Sequence, residues 1–260
     1  MRYFFHLAYR GSRYCGWQKH PNILTVQDTI EGTFSKVLKQ PIEISGCGRT
    51  DTGVHASQFF FHCDLDHNWD FDALFRINKS LPEDIALFEF FPVAENAHAR
   101  FDAYSRTYQY FIHTYKDPYL SGLSSLYEYK NLDYEKMNAA TQLLIQYSDY
   151  AAYCKSPNKY EHTLCFIKEA EMKISPDEKR IQFTISSNRF LSGMIRILVM
   201  KILDIGTGNW TLDKFEYHLS HKVTPELIKP AHPEGLYLTR VRYPHLDIPP
   251  ASKFLETLAF

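Results

Sequence analysis

Residues 25–65 read TVQDTIEGTFSKVLKQPIEISGCGRTDTGVHASQFFFHCDL. Val26, Ile30, Phe34 and Leu38 recur every fourth position, the spacing of one face of a helix. Thr25 stands before them as an N-cap with Asp28 three residues on, a capping box with Asp in place of Glu. After Pro41 the pattern changes to short apolar runs near 42–47 and 57–65, rich in β-branched and aromatic residues, which predicts two strands. Working outward, further strand-like runs lie near 2–9, 85–93, 104–114, 166–174, 180–187 and 236–243. Asp133 precedes a helical pattern through Met137, Thr141 and Leu144, and residues 190–204 have helical apolar spacing. Two rounds of β, helix, β-β emerge, over about 1–115 and 116–245. They predict an α+β protein with two pseudo-repeated halves, each packing helices on a mainly antiparallel sheet, with a cleft between them. The turn-rich stretch from Lys116, Asp117 and Pro118 to Ser125 is the expected boundary, dividing residues 1–115 from 116–260.

A chain of 260 residues with 45% hydrophobic and 23% charged residues has globular composition and room for a sizeable core. Its net charge of −1 gives no whole-chain attraction for nucleic acid. Residues 1–27 carry Arg2, Arg10, Arg13 and Lys19 with no acid ahead of Asp28, and residues 179–203 carry Lys179, Arg180, Arg189, Arg196 and Lys201 with none. A basic face on a neutral protein is one reading, and ordinary solvated charge is the other. Five scattered cysteines without a C-x-x-C pair suit reduced thiols and imply no zinc site. The apolar stretch at 190–205 is broken by Arg196, Lys201 and Asp204, against a membrane span, so a cytoplasmic protein is expected.

Residues 46–56, GCGRTDTGVHA, bring Arg49, Asp51 and His55 together on a loop between two strands, with Gly46, Gly48 and Gly53 to let the chain turn sharply. One reading is a polar hairpin in which Asp51 caps its own turn and Gly53 takes positive φ. Another starts from Asp51-Thr52-Gly53, the triplet of aspartic proteases, which need two such carboxylates sharing a proton. The chain has no second D-T-G or D-S-G, and polar Arg49 and Thr50 precede the Asp where those enzymes have an apolar strand.

The loop resembles the signature of the TruA family of tRNA pseudouridine synthases, G-R-T-D-x-G-V-H-A, and other motifs of that family follow in order. Residues 9–18, YRGSRYCGWQ, with Thr25-Val26-Gln27 resemble its opening; residues 98–112, HARFDAYSRTYQYFI, its H-A-R-F-x-A-x-x-R-x-Y-x-Y; residues 190–196, FLSGMIR, its F-L-x-x-M-V-R; and residues 235–244, GLYLTRVRYP, its G-L-Y-L-x-x-V-x-Y-P. The chain departs from the pattern at Arg10, Cys165, Ile197 and Met200. A non-catalytic RNA-binding module would keep the aromatics and basic residues but has no reason to keep the intact loop motif.

The resemblance implies isomerisation of uridine to pseudouridine in the anticodon arm of tRNA, at positions 38–40, by a homodimer without a cofactor. The reaction breaks the N1–C1′ bond, turns the uracil and rejoins C1′ to C5, so nothing is oxidised and no group leaves. As in glycoside cleavage, a carboxylate serves a carbon of oxocarbenium character, and Asp51 is implied as that group. Such a carboxylate must stay ionised beneath a bound nucleotide, where burial favours the neutral acid, so a cation beside it is expected. Arg196, on the apolar 190–204 segment, fits that role. A uridine in a stem or stacked loop must be flipped out to be reached. Tyr108 is implied as the residue that meets the flipped base, with core aromatic as its bland alternative, and Arg49 as the filler of the gap or a phosphate contact. His55 is expected to be structural.

Overall fold

The structure, a computed structural model, describes residues 1–260 apart from positions 67, 68, 245 and 260. In chain order the elements are β1 (Arg2–Tyr9), α1 (Val26–Leu38), β2 (Ser45–Gly46), β3 (His55–Asp64), α2 (Ala73–Ser80), β4 (Ile85–Pro92), β5 (Ser105–His113), β6 (Ser125–Leu126), α3 (Tyr134–Leu143), β7 (Ile167–Ile174), β8 (Arg180–Ser187), α4 (Met194–Gly206), α5 (Leu212–His221), β9 (Leu236–Arg242) and α6 (Phe254–Ala259). The α+β class and the expected strands are all present, although the strand expected at 42–47 forms only at Ser45–Gly46. The chain forms two compact units, residues 1–104 with 237–253 and residues 105–236 with 254–260. The turn-rich 116–125 stretch lies within the second.

In the first unit β1 is flanked by β3 and β4, antiparallel to both. The other edge of β3 is shared by β2, antiparallel, and by β9, which runs parallel through His55↔Tyr237 and Ala56↔Leu238. Every residue of β3 except Asp64 is buried, so both of its faces are covered. On one face Phe5 and Phe61 stack with centroids 4.8 Å apart, and Phe34 of α1 meets them edge-on at 5.2 and 5.5 Å. This is the packing that the four-residue periodicity of α1 predicts, and Thr25 caps the helix by accepting from the Asp28 amide. On the other face His6 stacks on Phe60, and Tyr243 lies edge-on to Phe4 and Phe60. Gln58, fully buried there, accepts from the Val241 amide and donates to the Ile248 carbonyl. A buried amide is tolerable because both ends are satisfied.

In the second unit β8 lies between β5 and β7, antiparallel to both, and the short β6 runs parallel to β5. Eleven of the thirteen residues of α4 are buried, which explains why its sequence is nearly continuous in apolar residues. Gly206 lets α3 approach, since a side chain there would meet the Met137 thioether. No helix among the described residues is long and apolar enough to cross a membrane.

Candidate active site

The loop between β2 and β3 is held from one side by residues 9–17, the segment that follows β1. Trp17 donates its amide to the Thr50 carbonyl (3.2 Å), Gly53 donates to the Tyr14 carbonyl (3.2 Å), and the Tyr9 hydroxyl pairs with Thr50 Oγ1 (2.8 Å). The Gly11 amide donates to His55 Nδ1 (2.9 Å). Two glycines make this approach possible. A Cβ on Gly11 would lie 2.6 Å from the Val54 carbonyl carbon, and one on Gly16 would lie 2.5 Å from the Thr50 carbonyl oxygen. Gly16 also has φ +88°, a left-handed conformation that an L side chain adopts at a cost. Within the loop, Gly53 at φ +78° and the Val54 amide bond to the Asp51 carbonyl close a turn with Asp51 at its head.

Asp51 is half-buried on this clamped turn, and Arg49 is exposed two residues earlier. His55 is fully buried, with its ring stacked on Tyr237 at 4.5 Å and its Nδ1 accepting from Gly11, which is the structural role expected for it. The clamp itself was not legible as such: the YRGSRYCGWQ motif carries glycines, but only their closeness to the loop shows what they do. The clamp is braced below by Asp84, which accepts from the Tyr14 hydroxyl (2.7 Å) and pairs with Arg13 (3.3 Å).

Tyr108 and Arg196 belong to the second unit. Tyr108 lies on β5 opposite Ile185, is 8% exposed, and meets Phe190 edge-on at 5.2 Å. Its neighbour Tyr110 is fully buried and donates to the His232 carbonyl, while Tyr104, ahead of the strand, is exposed. Arg196 sits in the first turn of α4, half-buried, and its Nε donates to the Ala231 carbonyl (2.6 Å). The departures from the family pattern at Ile197, Met200 and Cys165 are buried side chains, and burial pushes the Cys165 thiol up to about 12. Arg10 is exposed.

Several cations of the two acid-free stretches are ion-paired. Arg2 pairs with Asp64 (2.8 Å), Arg13 with Asp84, Lys19 with Glu31 (2.9 Å) and Lys201 with Asp204 (3.0 Å). Asp64, Asp84 and Glu31 lie outside the first stretch and Asp204 just past the second, so absence of an acid within a stretch does not mean a free cation. Among the described residues, no group of three or more His, Cys, Asp or Glu side chains is placed to hold a metal ion.

The first unit also carries a surface hollow of about 200 Å³ beside the loop, lined by Trp17, Gln18, Gly46, Arg49, Arg100 and Phe101 among others. A Cβ on Gly46 would come within 2.6 Å of the Trp17 indole, so the glycine lets that ring form the floor.

Comparison with known proteins gives these features a family. A family model described as tRNA pseudouridine synthase matches residues 140–244. A protein named tRNA pseudouridine synthase A from Porphyromonas gingivalis is 39% identical over 246 residues, covering 94% of this chain and 97% of its own. Proteins of the same name from Bacteroides thetaiotaomicron and Shewanella woodyi are 36% and 35% identical over 94% and 96% of this chain. Identity at this level along nearly the whole length, with a clamped loop that carries the signature carboxylate, places the chain in the TruA family of tRNA pseudouridine synthases, which are isomerases.

Proposed function

We propose that this enzyme converts uridine to pseudouridine in the anticodon stem-loop of tRNA, at positions 38–40, with Asp51 as the essential carboxylate acting on a flipped-out uridine. The observation that carries the proposal is the Asp51 turn itself. It is anchored by backbone hydrogen bonds on its flanks and leaves the carboxylate half-buried rather than capping a helix or filling the core. Anchoring matters because a reacting group must be held close to its productive position, with its freedom removed before substrate arrives. Tyr108, with its ring set against Phe190, stacks on the flipped base and offers its hydroxyl to the freed uracil. Arg49, exposed beside the carboxylate, fills the gap left by the nucleotide or holds its phosphate. Arg196 balances the charge of Asp51, with its Nε pinned to Ala231 so that the rest of the guanidinium is aimed. The reaction needs no cofactor and no metal, because bond order is only redistributed between N1, C1′ and C5. A cytoplasmic homodimer, with two pseudo-repeated halves lining the RNA cleft of each subunit, completes the reading.

Release of tritium from tRNA labelled at uridine C5 tests it, since rejoining at C5 expels that hydrogen. Asp51→Asn keeps the side-chain shape and loses the charge; release should fall by roughly 10⁴-fold or more, the scale seen when one member of a catalytic unit is removed, while tRNA is still bound. Substantial release by Asp51→Asn refutes the assignment, and mapping of the product on whole tRNA decides the positions.

A further inference from the structure

Arg189 lies on the connection between β8 and α4 in the second unit, and the loop that precedes β7 is strapped across that connection. The Lys155 amide donates to the Ser192 carbonyl (3.1 Å), the Ser192 amide to the Tyr160 hydroxyl (2.9 Å), the Phe166 amide to Asn188 Oδ1 (2.8 Å) and the Ser187 hydroxyl to the Phe166 carbonyl (3.0 Å). Residues 155–166 are thereby held along 187–192. What the strap brings to Arg189 is a ring and an acceptor. The guanidinium lies over the Tyr160 ring, 5.7 Å from its centroid, and donates from one nitrogen to His162 Nε2 (3.4 Å).

Other arginines of this unit end on oxygens that tie segments together. Arg180 donates to the Thr257 carbonyl and the Tyr115 hydroxyl, and Arg106 to the Asn188 carbonyl. Arg189 instead ends on a flat ring and an imidazole nitrogen, and among the described residues no salt bridge reaches it. It is only half-buried, so a ligand can approach it. A guanidinium has five N–H donors and His162 takes one, while the ring fixes its plane in advance. The strapped segment adds charge of the same sign, with Lys155, Lys159 and Lys168 against Glu161 as the single acid in residues 155–168. Phe190, the residue after Arg189, meets Tyr108 edge-on at 5.2 Å.

We propose that Arg189, set on Tyr160, holds a backbone phosphate of the substrate tRNA next to the nucleotide whose base meets Tyr108. A planar fork matches phosphate oxygens in bidentate fashion, and a basic surround suits a polyanion. The contact reads no base, so it fixes the strand on either side of the target rather than choosing a sequence. It rests on the reading that the enzyme presents a flipped uridine of tRNA to Tyr108, and it goes beyond that reading by assigning a phosphate site to Arg189 and a positioning role to Tyr160.

The test is equilibrium binding of tRNA transcript to wild type, Arg189→Gln and Arg189→Lys over a series of salt concentrations. Arg189→Gln should weaken binding by roughly tenfold, the scale of one hydrogen bond to a charged group, and lower the slope of log affinity against log salt by about 0.7–0.9, one phosphate contact fewer. Arg189→Lys keeps the charge and loses the fork, so it should restore the slope and only part of the affinity. A merely structural arginine would shift the urea midpoint and leave the salt slope unchanged. The place of the contact is read with tRNA in which one phosphate flanking the modified uridine, located by product mapping, is an uncharged methylphosphonate. On one side of the uridine this replacement should weaken wild-type binding by about tenfold and cost Arg189→Gln nothing further. Wild-type affinity and salt slope in Arg189→Gln overturn the proposal, as they would if the site took an acidic protein, and so do equal losses in wild type and variant at both flanking phosphates. The two failures are separable: Asp51→Asn retaining tritium release removes the catalytic reading, whereas tRNA binding that ignores Arg189→Gln removes only this contact.

Discussion

Replacing Gly16 by Ala tests whether the 9–17 segment positions Asp51. The new methyl would stand 2.5 Å from the Thr50 carbonyl oxygen and 3.3 Å from the Asp51 carbonyl carbon. Real contacts of this kind do not fall below 3.0 Å, so the Thr50–Asp51 peptide or the Gly16 backbone must retreat by at least 0.5 Å. The amide bond from Trp17 to Thr50, 3.2 Å before the change, is lost or lengthened in the process. Two costs add. The φ of +88° imposes about 1–2 kcal/mol on an L residue, and overpacking a close contact costs about 1–3 kcal/mol, so about 2–5 kcal/mol of stability should disappear. Because a reacting group displaced by about 1 Å loses about 10²-fold in rate, turnover should fall by roughly 10- to 100-fold.

Two further glycines separate these causes. Gly208 has φ +77° with nothing within 4 Å of its would-be Cβ, so Gly208→Ala carries the conformational strain without the clash. Gly32, inside α1 with equally open surroundings, should gain about 0.5–1 kcal/mol on becoming Ala. Urea unfolding gives the stabilities and tritium release gives the rates. If Gly16→Ala costs no more stability than Gly208→Ala and turns over at the wild-type rate, the clamp does not position the carboxylate.

Tyr108→Phe keeps the edge-on contact with Phe190 and removes only the hydroxyl, so single-turnover rate should drop by about tenfold or more while tRNA affinity stays within about twofold; a full rate in Tyr108→Phe would make Tyr108 a core residue only. Tyr108→Ala should in addition cost about 3–5 kcal/mol of stability, as deletion of a buried ring does. Burial first, and then the nearby charge of His98 and Arg2, lowers His62 from 6.5 to about 4. The unfolded chain therefore binds a proton that the folded chain refuses across that window, and the stability is present above pH 6.5 and lost as pH falls towards 4. Between pH 7 and pH 5 the loss should be about 2 kcal/mol by proton linkage. It is read from urea midpoints of wild type against His62→Asn, and equal pH dependence in the two would exclude His62 as its source.

Much of the fold could be read from the chain because local pattern and tertiary role coincide. β3 shows a strand-like run because both of its faces are covered, α1 shows a clean four-residue repeat because one face meets Phe5 and Phe61, and α4 is nearly all apolar because it is nearly all buried. The helices α2, α5 and α6 were not foreseen. α2 buries only Ala73 and Ile77, so its apolar periodicity is faint, and α5 buries Phe215, His218 and Leu219 among polar residues. Their N-caps were visible all the same: Asp72 accepts from the Phe75 amide and Thr211 from the Lys214 amide. The strand expected at 42–47 shrinks to two residues because its apolar residues Ile42 and Ile44 are buried without pairing as strand.

By itself, then, the sequence determined most of the strands, the helices α1, α3 and α4, the family and the loop that carries Asp51, since these depend on residue identity and on spacing within a few positions. Tertiary structure alone decided which acids pair with which cations. Arg2, Arg13 and Lys19 stand in a stretch without acids and are paired by Asp64, Asp84 and Glu31. It alone decided that β9 joins β3 in parallel across some 180 residues of chain, and that Gly11 and Gly16 serve the loop at 50–55. The physical reason is common to all three: pairing and close approach depend on distance in space, and the chain brings together residues whose separation along it carries no record of the contact.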